Sequence, residues 1–216
     1  MSTVTTTRGS KLATEINIFT LPRERQEALL ETLSAINREI LKHKYPMNVS
    51  ANFHRAIDAS IVINDNQYTD QPSGQHLRIQ PDTMPLLKRT HELSEKHEIR
   101  WYEVADVITA KGHADTIEIS DDRGIIAGIG IFTTQPTKQD ELLTRLKLYG
   151  ETFKGSEAGF IGIATHRGYL GEYVASYEQW TSIDAYGQAM RHAPVAAARK
   201  EVCDMRMSRR CIHTMS

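Results

Sequence analysis

Residues 16–33 read INIFTLPRERQEALLETL, and residues 129–146 read IGIFTTQPTKQDELLTRL. The two stretches align without a gap at an offset of 113. Identities fall at Ile16/Ile129, Ile18/Ile131, Phe19/Phe132, Thr20/Thr133, Gln26/Gln139, Leu29/Leu142, Leu30/Leu143 and Leu33/Leu146. Arg25/Lys138 and Glu27/Asp140 keep their charge. The echo resumes downstream at an offset of 112, with His54-Arg55 over His166-Arg167, Val62 over Val174, Gln67 over Gln179, Tyr68 over Trp180 and Thr69 over Thr181. A period of this length is too long for a solenoid, whose repeats run roughly 20–50 residues. It is the length of a small domain, so the chain reads as a tandem duplication of one domain.

Each copy shows the same order of elements. Residues 15–20 form a β-branched and aromatic run that predicts a strand. Pro22 follows, where a helix tolerates proline in its first turn. Ala28, Leu29, Leu33, Ile36, Ile40 and Leu41 then recur at helical spacing, and Pro46 closes the helix. Residues 48–55 and 60–68 predict two strands joined by a turn at 57–59, residues 82–97 a second helix, and residues 99–108 a closing strand. The second copy predicts strand 125–133, helix 137–153, strands 159–167 and 171–180, helix 182–203 and strand 205–214, with Gly155, Gly159, Gly168 and Gly171 at its turns.

The order β-α-β-β-α-β, twice, is the split βαβ, ferredoxin-like plan. The fold class is therefore α+β, with the expectation that the two domains form an intrachain pseudo-dimeric α/β barrel. Residues 1–14 read as a disordered leader, 15–108 as the first domain, 109–124 as a polar linker and 125–216 as the second domain. The polar stretch 69–82 reads as an insertion or lid.

The net charge is −1, and no block of Lys or Arg suggests nucleic acid or an anionic membrane; Arg206, Arg209 and Arg210 read as a solvated strand face. No apolar run approaches the roughly 20 residues of a spanning helix, and no signal segment is visible. Cys203 and Cys211 lack metal or redox spacing and read as free thiols of a cytoplasmic protein.

No phosphate loop, zinc signature or serine elbow is present. Candidates come from the repeat. His54 and His166 end equivalent strands and are each followed by arginine, so either could take a proton or merely cap a strand edge. Asn64 with Tyr68, and Ser176 with Trp180, are four apart and share a strand face. An amide or hydroxyl beside a large ring could hold a flat aromatic molecule and a developing oxyanion, or the ring could be core. Met84, Met190, Met205 and Met207 read as pocket lining or ordinary core. Tyr177, Tyr186 and His192 lie close to Trp180 in sequence.

From residue 129 to 195 the chain holds an apolar strand, a Glu/Leu helix, Gly159-Phe160, His166-Arg167, Tyr177-x-x-Trp180-x-Ser182 and Ala193-Pro194. In this order the features resemble the antibiotic biosynthesis monooxygenase domain, closely over 125–214 and more loosely over 15–108. The resemblance implies a dimeric α/β barrel and oxidation of polycyclic aromatic polyketides by O2, many members needing no metal, haem or flavin. Taken together with the candidates from the repeat, the expected catalytic residues are Asn64, His54, Trp180 and His166, and the expected substrate-binding residues are Tyr68, Ser176, Tyr177, Tyr186, Met84 and His192.

The family pattern sets Asn four residues before Trp. Here the pair is split, since copy one has Asn64 with Tyr68 and copy two has Ser176 with Trp180. Tandem relatives that cleave polyketide rings imply the alternative cosubstrate, reduced FAD or FMN from a partner flavin reductase. The split pair argues against haem degradation. The expected partners are a polycyclic aromatic molecule, O2 and a second copy of the chain. A non-catalytic ligand-binding barrel is the reading from another class.

Overall fold

The computed structural model describes residues 4–7, 9–43, 45, 48–111, 116–119, 125–154, 159–205 and 208–215; for Val4 and for 208–215 only the backbone is described. Pro46, Asp121, Asp122, Gly155, Arg206 and Met207 lie outside the described residues, as do the side chains of Arg209, Arg210 and Cys211.

The elements run β1 (Val4–Thr7), β2 (Ala13–Thr20), α1 (Gln26–Lys42), β3 (Asn48–Ala56), β4 (Ile61–Tyr68), α2 (Gln71–Arg78), α3 (Met84–Leu93), β5 (Lys96–Thr109), β6 (Thr116–Ile119), β7 (Ile126–Thr133), α4 (Gln139–Glu151), β8 (Phe160–Gly168), β9 (Tyr173–Trp180), α5 (Ile183–Arg191), α6 (Ala193–Asp204) and β10 (Ser208–Met215). The α+β order expected for each copy is present, with two helices where one was expected before each closing strand. The chain divides into two compact units, Lys11–Trp101, and Met1–Ser10 with Tyr102–Ser216; the division falls inside β5.

In the Lys11–Trp101 unit, β4 pairs antiparallel with both β3 and β2, and β5 is the next neighbour of β2. One face of this sheet carries α1. Its stripe Leu29, Leu33 and Ile40 packs on Phe19, Val62, Tyr68 and Leu93, while Leu41, expected in the stripe, is exposed on the last turn. The opposite face of β2 and β4 is buried too, through Ile16, Ile18 and Ile63. Each such aliphatic side chain contributes about 1.5–3 kcal/mol on burial.

In the other unit, β9 pairs antiparallel with β7 and β8, β7 with β10, and β8 with residues 102–109 of β5. Gln139, kept in both copies, shows what the repeat preserves. Its amide donates to the carbonyls of Gly168 (2.8 Å) and Tyr173 (3.0 Å), tying the first turn of α4 to the β8–β9 hairpin.

Three sequence expectations change. Residues 1–14 and 109–124 are not wholly irregular, because β1 pairs antiparallel with β6, from Val4↔Ile119 to Thr7↔Thr116. The supposed lid at 69–82 is α2, the counterpart of α5. Asp70 Oδ1 caps α2 by accepting from Ser73 N (2.8 Å), as Ser182 Oγ caps α5 by accepting from Ala185 N (3.1 Å). The long helices expected at 82–97 and 182–203 are shorter or broken. Pro85 and Pro194 have no N–H to donate and sit in the first turns of α3 and α6, where they start new helices.

Candidate active site

The side chains that alternate along β2 and β4 build a cavity inside the Lys11–Trp101 unit. Glu15, Asn17 and Phe19 from β2 share a face with Asn64, Asn66 and Tyr68 from β4, since the register pairs Asn17 with Asn64 and Glu15 with Asn66. Leu33, Ile36 and Ile40 of α1, with Phe53 and Leu87, supply apolar walls, and Arg78 of α2 and His97 of β5 complete it. The space, its mouth included, is about 530 Å³.

The floor is a charged and amide network. The Glu15 carboxylate is 1% exposed and forms an ion pair with Arg78, which donates to Glu15 Oε1 from both Nε (2.9 Å) and Nη2. Tyr68 Oη (3.3 Å) and Asn66 Nδ2 (3.2 Å) donate to the other oxygen. Arg78 Nη2 also donates to Asn17 Oδ1 (3.0 Å), which lies 3.0 Å from His97 Nε2. Burial, then the nearby Glu15 charge, pushes the Tyr68 phenol well above its usual range. A Cβ at Gly74 would overlap the rings of Tyr68 and Trp101, so glycine there lets α2 approach closely enough to bring Arg78 to Glu15.

Asn64 is buried beside this network, yet its Oδ1 has no hydrogen-bond partner. A buried amide oxygen left unbonded costs about 1–3 kcal/mol, so such a group in a cavity wall marks a place where a donor belongs.

The structure brings only Asn64 and Tyr68 of the expected residues into this cavity. His54 lies on β3 next to Phe53, so its side chain takes the opposite sheet face; burial lowers its pKa to about 4. Asp65 faces the same way, and burial raises its pKa to about 7. A role for His54 as base in the cavity is corrected by this strand parity. His166, on β8, packs edge-on to Tyr102 (6.4 Å), and burial also lowers its pKa to about 4.

Trp180 is fully buried among Phe153 (5.0 Å), Phe160 (5.1 Å) and Tyr186 (5.7 Å), and its indole nitrogen has no hydrogen-bond partner. This is the core reading. Ser176 is buried on the same face, whereas Tyr177 lies on the other and accepts from Gln179 Nε2 (3.4 Å). Met190 and Met205 pack against the core. Met84 and His192, expected to bind substrate, do not line this cavity. Met84 is 55% exposed at the start of α3, and His192 is exposed where α5 gives way to α6.

The residues missed from sequence are Glu15, Asn17, Asn66, Arg78 and His97. One signal was available. Glu15 and Asn17 alternate on a strand otherwise apolar, and their counterparts at the repeat offset are Gly128 and Gly130. Among the described residues no group of three or more His, Cys, Asp or Glu is placed to hold a metal ion. Among them, also, no helix is long and apolar enough to cross a membrane.

No family model matches the chain, and no curated protein matches it. Among solved structures, an anthrone oxidase-like protein is similar over 98% of this chain and 94% of its own, with a TM-score of 0.85 and 22% identity. A protein of Fusobacterium nucleatum, provisionally described as a monooxygenase, is similar over 94% of this chain and 91% of its own, with a TM-score of 0.69 and 10% identity. A major regulator of staphylococcal pathogenesis is similar over 94% and 97%, with a TM-score of 0.59 and 11% identity. These likenesses run through both repeats and show a shared fold. They meet, at the level of the fold, the resemblance to monooxygenase domains read from the sequence.

Proposed function

We propose that the chain is an oxygenase that inserts O2-derived oxygen into a polycyclic aromatic substrate held in the cavity of the Lys11–Trp101 unit. The observation that carries this reading is the unbonded Oδ1 of Asn64, which calls for a hydrogen-bond donor, on a polar floor beneath apolar walls. The fold shared with an anthrone oxidase-like protein supports the reaction class.

The walls from Phe19, Phe53 and Ile36 suit a flat ring system, and Asn64 Oδ1 suits a hydroxyl of that system, which would donate to it. Loss of a proton from an anthrone-type methylene leaves a carbanion whose charge spreads to the ring carbonyl oxygen, and the substrate hydroxyl that donates to Asn64 Oδ1 holds the ring system in place for that step. The electron-rich anion then reduces O2 by one electron, and the two radicals join through a new C–O bond. The resulting hydroperoxide loses water. The balance is CH2 + O2 → C=O + H2O, with the carbon giving up the four electrons that O2 accepts. No external reductant enters this sequence.

The test is enzyme-dependent O2 uptake with 1,8-dihydroxyanthrone, with and without a supply of reduced FMN, corrected for autoxidation. Uptake without flavin is expected. Asn64→Ala should lower kcat about 100-fold, whereas Trp180→Phe, in the core of the other unit, should stay within about threefold of wild type. Uptake only with reduced flavin would replace this reading by ring cleavage with a partner reductase. A second reading, a non-catalytic ligand-binding protein, is favoured by the regulator that shares the fold, and absence of uptake would select it.

A further inference from the structure

Asn17 stands between two groups whose requirements fix one another. Its Oδ1 accepts from Arg78 Nη2 (3.0 Å) and lies 3.0 Å from His97 Nε2. A guanidinium offers donors alone, so the Asn17 atom it meets is the amide oxygen, which can only accept. His97 Nε2 must then carry the hydrogen, and in a neutral imidazole the lone pair resides on Nδ1.

That second nitrogen is buried and has no hydrogen-bond partner, on a ring that lines the cavity and stacks on Phe19 at 4.1 Å. Charged and titratable groups approach the ring from three elements. They are Arg78 of α2, His91 of α3 (4.9 Å between rings) and, through Arg78, Glu15 of β2. Burial first, then His91 and Arg78, lowers the ring pKa to about 4, which keeps it uncharged near pH 7. The other proton-seeking group on the floor is already engaged, since both Glu15 oxygens accept hydrogen bonds from Arg78, Tyr68 and Asn66.

We infer that His97 Nδ1 takes the substrate's proton in this cavity, and that Glu15, Arg78 and Asn17 are positioning residues that hold the ring in the one tautomer able to do so. The identity of the step rests on the oxygenase reading above; the tautomer does not. In the step, a substrate C–H or O–H bond breaks, its electron pair stays on the substrate, and the proton forms an N–H bond at Nδ1. The imidazolium then lies beside the substrate anion, and their attraction raises the basicity of the ring as the proton moves. The same proton is afterwards available to the peroxide oxygen that departs as water.

Nitrogen-15 NMR of the full chain, labelled in its histidine rings, tests this at pH 7, with His97→Gln identifying the His97 signals. An unprotonated Nδ1 and a protonated Nε2 are expected. Adding 1,8-dihydroxyanthraquinone, a probe with no methylene to oxidise, should move the Nδ1 signal. Asn17→Ala should release the ring into a mixture of tautomers, an effect that loss of packing alone does not produce. In O2 uptake, His97→Gln should lower kcat about 100-fold, with KM held within about threefold. A hydrogen on Nδ1 in the wild type, a dye that leaves its signal in place, or an unchanged kcat in His97→Gln would each overturn the assignment. If the dye moves the signal but no substrate consumes O2, the oxygenase reading fails while the acceptor role of Nδ1 toward a phenolic ligand stands.

Discussion

At equivalent positions, the first repeat keeps a cavity where the second has a core. Glu15 and Asn17 correspond to Gly128 and Gly130, Ile36 and Ile40 to Tyr149 and Phe153, Tyr68 to Trp180 and Arg78 to Met190. In the second repeat Phe153 packs edge to face with Tyr149 and Trp180, Phe160 is tilted against Trp180, and Tyr149 Oη donates to Met190 Sδ (3.7 Å). Each such ring pair adds about 0.5–1.5 kcal/mol beyond simple burial. The first repeat gives up that packing for an ion pair and amides around a space. One unit thus packs rings against rings, while the other keeps charged and amide groups around a space.

The comparison can be broken first at the ion pair. Arg78→Ala leaves the Glu15 carboxylate buried without its cation and should reduce unfolding free energy by about 3–5 kcal/mol in urea titrations, whereas Glu15→Gln with Arg78→Met should recover most of it. If Arg78→Ala is as stable as wild type, the first repeat has no polar floor to defend.

Asp65 gives the next largest effect, and its counterpart in the second repeat is the uncharged Tyr177. Burial raises the folded Asp65 pKa to about 7 from 3.8. Between these values the folded chain holds a proton that the unfolded chain has lost. This group therefore makes stability fall as pH rises from about 4 to about 7, after which its contribution is constant. Asp65→Asn should be more stable than wild type at pH 8 by on the order of 4 kcal/mol, with the gain vanishing toward pH 4. Equal gains at both pH values would mean that the carboxyl is solvated.

Grafting the first repeat's residue onto the second sharpens the contrast. In Gly130→Asn the new Cβ would meet Ser176 Oγ at 2.7 Å and the Phe132 ring at 2.9 Å. Overpacking of this kind should lower stability by about 1–3 kcal/mol, seen as a reduced thermal midpoint. The smallest effect lies at the hairpin. Ala59 has φ 60°, and the equivalent Gly171 has φ 78°. Ala59→Gly removes the Cβ strain of the left-handed region and should stabilise the chain by about 0.5–1 kcal/mol in the same melts.

The alternation and helical spacing of residues 16–33 made the architecture readable, because its echo at 129–146 repeated the same periods. Apolar spacing runs on past two real boundaries: Pro194 starts a new helix inside 182–203, and the helix expected to reach 97 ends at Leu93 because β5 begins at Lys96. In the site, Asn64 and Tyr68 were legible because four residues on a strand return to one face. His54 was misassigned because both faces of its sheet are buried, so alternation alone could not say which one held the cavity. Arg78 and His97 left no local mark. They come from α2 and β5, far apart in sequence, and meet Asn17 only through the tertiary fold.

The pairing of β1 with β6 sets a timetable. Val4 lies opposite Ile119, 115 positions later (119 − 4). At a ribosome adding about 5–20 residues per second, the earliest part of the chain waits roughly 6–20 s for its partner. Throughout that interval the backbone donors and acceptors of β1 have water or a chaperone as their company. The Lys11–Trp101 unit meanwhile contains all the residues of its own cavity and can close around them before the unit that claims the N-terminus has been made. Synthesis from one end therefore orders the two units in time, the one with the cavity first and the one that pairs β1 with β6 last.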